Sequence, residues 1–300
     1  MKTNIKQMVK NKTLCGAICL SLFAFGNRGF AQDSTKKVIE RVPNIFPSNY
    51  IIDNQTADVN PLHTLELGIQ HRFGVTNNGY SDMFGVFAPA NIRLSVAFTP
   101  VKNLQVGIGV CKETMQWDGN IKYNFTKQAV GKGCPISMTY FGDVAITTIP
   151  TKGNYVSQND RVSYFNQLMV ARKITERFSV QVAGSFSYFN NVPSYLDKEG
   201  KQQPTMKNGQ FTFSAMGMYM LTDHFGFIAN YDQPLTQNTA TNPHPNLAGG
   251  IQVTTASHAF QVFCGNYQHI LQQSNSMYNQ NDYTKGNFCV GFNIIKRFYL

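Results

Sequence analysis

The chain has 300 residues, with 26 Lys or Arg against 16 Asp or Glu and a formal charge of +10. Half of that excess sits at the start: residues 1–31 hold four lysines and Arg28 and no acid, so residues 32–300 carry 21 basic against 16 acidic side chains, scattered rather than clustered. That distribution excludes a nucleic-acid surface. No run after Ala31 approaches the roughly 20 apolar residues of a transmembrane helix, so a membrane-spanning chain of this composition has to be a barrel.

Lys2, Lys6, Lys10 and Lys12 form a basic segment, Leu14 to Phe25 an apolar one, and Gly29-Phe30-Ala31 a small-x-small site. Residues 1–31 therefore read as a secretory signal peptide cleaved before Gln32. Residues 32–61 lack strand periodicity and contain Pro43, Pro47 and Pro61 together with two apolar pairs, Ile45-Phe46 and Ile51-Ile52. Two readings stay open for them: a loose periplasmic arm, or a plug tucked into the lumen of a barrel formed by residues 62–300.

From Leu62 onward, twelve segments alternate apolar and polar residues with period two, the signature of strands with one lipid-facing side. They are 64–73, 91–98, 104–111, 117–125, 136–147, 162–171, 178–188, 211–221, 225–231, 247–253, 259–264 and 288–298. All twelve prolines are expected outside strand interiors, because proline has no amide hydrogen for the ladder. Tight turns at 99–103, 174–177, 222–224 and 255–257, with a longer one at 126–135, alternate with the polar links 74–90, 112–116, 148–161, 189–210, 232–246 and 265–287. With the N-terminus in the periplasm, the turns fall on the periplasmic side and the long loops outside. Aromatic residues near strand ends, among them Phe98, Tyr123, Phe125, Phe178 and Tyr219 at one end and Tyr164, Tyr188, Phe211, Phe213 and Trp117 at the other, suit two interfacial belts.

The last segment, GNFCVGFNIIKRFYL, sets Phe288, Val290, Phe292, Ile294, Phe298 and Leu300 on one face and Asn287, Gly291, Asn293 and Arg297 on the other. It is expected to pair with 64–73 and close the sheet. Cys264 and Cys289 point to opposite faces in this register, and no disulfide is predicted.

The motifs HRFG (71–74), IRLSVAFTPVKNLQVGIG (92–109), WDGNIKYNF (117–125), QLMVARKITERFSVQVAGSFSY (167–188), ASHAFQV (256–262) and GFNIIKRF (291–298) resemble landmarks of a domain-of-unknown-function family of Gram-negative outer-membrane β-barrel proteins. The resemblance covers most of 62–300. It implies an all-β, antiparallel up-and-down transmembrane barrel of about 12 strands in the outer membrane. It also implies contact with outer-membrane lipid and recognition of the C-terminal strand by the barrel assembly machinery. It brings no catalytic or binding residues with it.

No nucleophile or metal motif stands out. His63, His71, His224, His244, His258 and His269 form no close ligand pair, so solvated or interfacial histidines are expected, with no catalytic residue, no metal and no cofactor. The inward face carries the information. Strands one to four turn Glu66, Gln70, Arg72, Arg93, Asp118, Lys122 and Asn124 inward, whereas strands five to eleven present Phe141, Phe165, Met169, Met216, Met218, Ile228 and Phe263. Glu66, Arg72, Arg93, Asp118 and Lys122 are the candidate lumen residues. Twelve strands lie between a filled and a water-filled barrel. A structural, packed lumen and passive passage or binding of a small amphiphilic solute are the leading readings. An enzyme acting on lipids, or a barrel docking a partner through its long loops, is the alternative. If the lumen conducts, Arg93 near mid-membrane predicts a weak anion preference, unless the five charges neutralise one another and stiffen the wall.

Overall fold

Alternation of this kind has one closed solution in a membrane: a sheet whose apolar side chains face lipid and whose backbone groups are all paired. The computed structural model describes residues 40–131, 133–150, 155 and 157–300, so the signal-peptide reading lies outside the described residues. Twelve antiparallel strands form a closed barrel: β1 (Thr64–Val75), β2 (Asn91–Val101), β3 (Leu104–Cys111), β4 (Gln116–Thr126), β5 (Ser137–Thr147), β6 (Val162–Lys173), β7 (Phe178–Phe189), β8 (Gly209–Met220), β9 (Phe225–Pro234), β10 (Asn246–Thr254), β11 (His258–Gly265) and β12 (Cys289–Tyr299). Each pairs with its sequence neighbour, and β12 closes on β1 with Tyr299 opposite Thr64 and Phe298 opposite Leu65. Among the described residues no helix is long and apolar enough to cross a membrane.

Burial follows the period-two pattern. Leu67, Leu168, Val182, Phe227 and Val262 are exposed on the outer surface while their neighbours in sequence are buried in the lumen. Trp117, Tyr123, Phe125, Phe211 and Tyr219 are exposed near strand ends, where a polar-tipped or edge-charged ring suits the interface. Cys264 lies opposite Val290 and is exposed, Cys289 lies opposite Gly265 and is buried, and both are free thiols.

Two expectations need correction. Pro100 lies inside β2, next to its last residue. The β2–β3 register shifts between Phe98 and Val101, so Pro100 occupies an irregularity where no ladder hydrogen bond is required of it. Asp232, read from the sequence as part of a loop, belongs to β9, which runs on to Pro234.

Two segments enter the lumen. At the turn end, Glu40 to Val42 attach to the β4–β5 turn through Val42 N–H to the Gln128 carbonyl (2.9 Å) and Val130 N–H to the Glu40 carbonyl (2.8 Å). The chain then runs inward as an arm, residues 44–60, with a hairpin pairing Tyr50–Ile51 to Asn54–Gln55. At the loop end, the β11–β12 connection forms α1 (Gln272–Tyr278), whose residues Gln273 to Met277 are buried.

Candidate functional site

The arm has little regular secondary structure to pair its backbone amides, so inside a wall it needs partners for its polar backbone. The polar half of the wall supplies them. Lys122 on β4, 1% exposed, donates to three arm carbonyls: Asn49 (3.0 Å), Asp58 (3.2 Å) and Thr56 (3.4 Å). Glu66 on β1 accepts from the side chains of Asn60 (2.9 Å) and Asn49 (3.0 Å) and lies 3.7 Å from Arg297. Arg72, fully buried, is ion-paired with Asp53 of the arm, donates to Asn293 Oδ1 (3.0 Å) and sits 4.3 Å over the Phe263 ring. Arg93 instead grips Asp118 through Nε (2.9 Å) and Nη2 (2.5 Å) and donates to Gln70 (3.0 Å).

The hairpin tip shows how tightly the wall specifies the arm. Ile52 is held at φ 59°, a left-handed conformation that costs a β-branched residue roughly 1–2 kcal/mol. Its N–H donates to Gln261 (3.0 Å), and its carbonyl accepts from Asn293 (2.7 Å) and, more distantly, Gln70 and Arg72. Wall glycines make the room. A Cβ at Gly68 would lie 2.8 Å from the Tyr50 hydroxyl, and one at Gly109 would lie 2.6 Å from both Arg93 Nη2 and Asp118 Oδ1.

The apolar half holds the arm differently. Ile45, Phe46, Ile51, Ile52 and Ala57 pack in one cluster with Phe141, Phe165, Met169, Met216, Met218, Ile228 and Phe263. The two apolar pairs of the sequence thus meet the apolar wall sector.

Of the five candidate lumen residues, the structure brings only Arg93 and Asp118 together; Glu66, Arg72 and Lys122 each hold the arm. The expectation that they neutralise one another is right for one pair. Beyond these five, Asp53 and Asp58 of the arm, Asp143, Asp232 and Arg297 also line the interior. Buried acids are Asp53, Asp58, Glu66, Asp118, Asp143 and Asp232, and buried bases are Arg72, Arg93, Lys122 and Arg297: six against four. With Arg93 engaged by Asp118, an anion filter at Arg93 loses its basis.

α1 completes the closure. Asn275 donates to Asp53 (3.0 Å), Gln272 to Asn54 (2.7 Å), and Gln273 to Asp143 (2.7 Å), so arm and helix meet inside the barrel. A cavity of about 650 Å³ remains at the loop end, bounded by Glu113, Gln116, Arg161, Phe189, His269 and Tyr278. There His269 lies 2.7 Å from Glu113, and burial raises the Tyr278 phenol above its ordinary range, keeping it neutral. A second cavity of about 350 Å³ opens at the turn end, lined by Ile45, Phe46, Lys173, Arg177, Met218 and Met220. Among the described residues no cluster of three or more His, Cys, Asp or Glu is placed to bind a metal.

Residues 46–298 match a family described as a membrane bound beta barrel domain (DUF5777). The chain belongs to that family. With its closed antiparallel sheet and apolar outer face, it is an outer-membrane β-barrel. No curated protein sequence matches it. Among solved structures, it is similar to the NanC porin (9% identity, 79% of this chain and 99% of that one, TM-score 0.47). It is also similar to an outer membrane channel from Pseudomonas putida F1 (12%, 82% and 99%, 0.46) and to the KdgM porin (8%, 79% and 99%, 0.43).

Proposed function

We propose that the protein passes a small amphiphilic solute across the outer membrane by passive diffusion, through a lumen that the arm and α1 hold shut at rest. The observation that carries this reading is the pair of cavities, about 650 and 350 Å³, entering the lumen from opposite ends and separated by a partition of arm and helix. A lumen built only as a structural core has no need of two vestibules, and the partition rests on hydrogen bonds that can be exchanged for water. Met169, Met216 and Met218 give a deformable apolar wall against the arm's apolar residues, while Asn49 and Asn60 of the arm face Glu66 on the other side. The same reading keeps residues 1–31 as a cleaved signal peptide, tested by the N-terminal mass of protein from membranes, and the C-terminal strand as the assembly signal. Deleting Phe298 to Leu300 should then abolish outer-membrane accumulation.

Single-channel recording in planar bilayers tests passage. Wild type should be closed with rare openings, and Lys122→Met, which frees three arm carbonyls, should open more often. If the arm of that variant becomes protease-sensitive while the bilayer stays silent, passage through the lumen is wrong. Hydrolysis of lipid by the purified barrel would favour an enzyme instead.

A further inference from the structure

Where arm, α1 and wall converge, a void of about 10 Å³ remains, the size of one water or one bare ion, and its lining is almost wholly oxygen-bearing. The arm supplies Asp53 and Asn54, the wall Asp232, Thr212 and Ser214, and the helix Asn275. Two of these groups are buried without a partner and border the void: the Thr212 hydroxyl, on a residue 4% exposed, and the Asn275 side-chain oxygen, on a residue 3% exposed. Asp232 accepts from Asn54 at Oδ1 (2.8 Å) and is hydrogen-bonded to Ser214, while its Oδ2 lies 3.4 Å from the amides of Asn230 and Asn246. Leaving such acceptors empty in a lumen costs free energy that a bound ligand would recover.

Charge points the same way. Arg72 answers Asp53, Arg93 answers Asp118, Arg297 approaches Glu66, and Lys122 lies beside the Asp58 backbone. Asp232 then has no ion-paired cation among the described residues, and buried carboxylates are ordinarily paired or bound to metal. From this we propose that the void is a calcium site, which pins the arm to both the helix and the barrel. Calcium accepts carboxylate, amide and hydroxyl oxygens in irregular geometry, whereas magnesium keeps several waters for which a void this small has no room. Zinc-type metals lack histidine and cysteine ligands here. Loss of the ion would leave the Asp232 carboxylate uncompensated beside the Asn275 side-chain oxygen at the partition, so calcium outside the cell becomes a brake on opening.

The experiment is calcium titration of the full-length barrel in detergent after chelator stripping, by calorimetry and by terbium luminescence. The expected result is one saturable site with Kd on the order of 10⁻⁴–10⁻³ M, the range of extracellular calcium modules. Asp232→Asn should weaken it at least ~10-fold, since it removes one of two carboxylates, and Asn275→Asp should tighten it by adding one. No saturable binding, an affinity indifferent to both substitutions, or magnesium binding equally well would overturn the proposal in favour of a water-filled or protonated site. If Asp232→Asn fails to assemble, Asn275→Asp decides alone. Because binding is read on the closed protein, a silent bilayer would count against passage without touching the calcium site.

Discussion

The two halves of the lumen hold the same arm by different mixtures of hydrogen bonding and apolar packing. On the β1–β4 side and on β12, contacts are single atoms meeting single atoms: Lys122 with three carbonyls, Asn293 with Ile52, Glu66 with two asparagine amides. On the β5–β9 side Phe and Met side chains pack as surfaces against Ile45, Phe46 and Ile51, and hydrogen bonds from Thr139, Ser179 and Gln181 to the arm backbone are added to that packing. Directional bonds fix register and can be traded for water one by one. Apolar packing fixes only volume and resists water as a whole. The difference teaches that directional bonds seat the arm on both sides, most densely at Lys122 and Ile52, while the β5–β9 side adds an apolar surface that is lost when the arm leaves.

Breaking the polar half should have the largest effect. Lys122→Met removes a buried ammonium from three carbonyls and should weaken arm docking by about 3–5 kcal/mol, seen as rapid proteolysis of the arm with the barrel still heat-modifiable on gels. The wall's own pair gives the control. Arg93→Met strands Asp118 and should lower barrel stability by about 3–5 kcal/mol, whereas Arg93→Met with Asp118→Leu should be close to neutral; a double variant as damaged as the single would mean that Arg93 does more than balance Asp118. Cutting the apolar half should act next: Met169→Ala should cost about 2–5 kcal/mol through its cavity without exposing the arm to protease. Equal protease sensitivity in Met169→Ala and Lys122→Met would erase the distinction between the halves.

Strand number, closure and inward register were legible in the sequence because lipid enforces period-two alternation with few exceptions. The polar and apolar sectors of the lumen were legible for the same reason. The arm's place was open, because a segment that borrows its hydrogen bonds from a distant wall has no local signature: Ile52 reads as apolar, and nothing nearby announces the left-handed turn that Gln261 and Asn293 hold. α1 escaped altogether. QQSNSMY is as polar as any exposed loop, and only its contacts with Asp53, Asn54 and Asp143 reveal it as interior. Asp232 could have been found by extending the β9 alternation three residues, to the proline that ends the strand.

The smallest effect sharpens the comparison most, because it alters neither charge nor a hydrogen-bonding side chain. At Gly68, on the polar half, a new Cβ would lie 2.5 Å from Ser95 Oγ and 2.8 Å from the Tyr50 hydroxyl, so Gly68→Ala must displace the arm's hairpin or the serine. The expected cost is about 1–3 kcal/mol, with the arm more readily cleaved. At Gly119, on β4, a Cβ meets nothing within 4 Å, and Gly119→Ala should leave both thermal midpoint and protease pattern near wild type. Both glycines sit in strands, so the backbone-entropy gain from alanine is similar and cancels in the difference. What remains is the fit between wall and arm. If the two variants behave alike, the Tyr50 hydroxyl is not seated against Gly68, and the arm rests in the lumen less closely than its hydrogen bonds require.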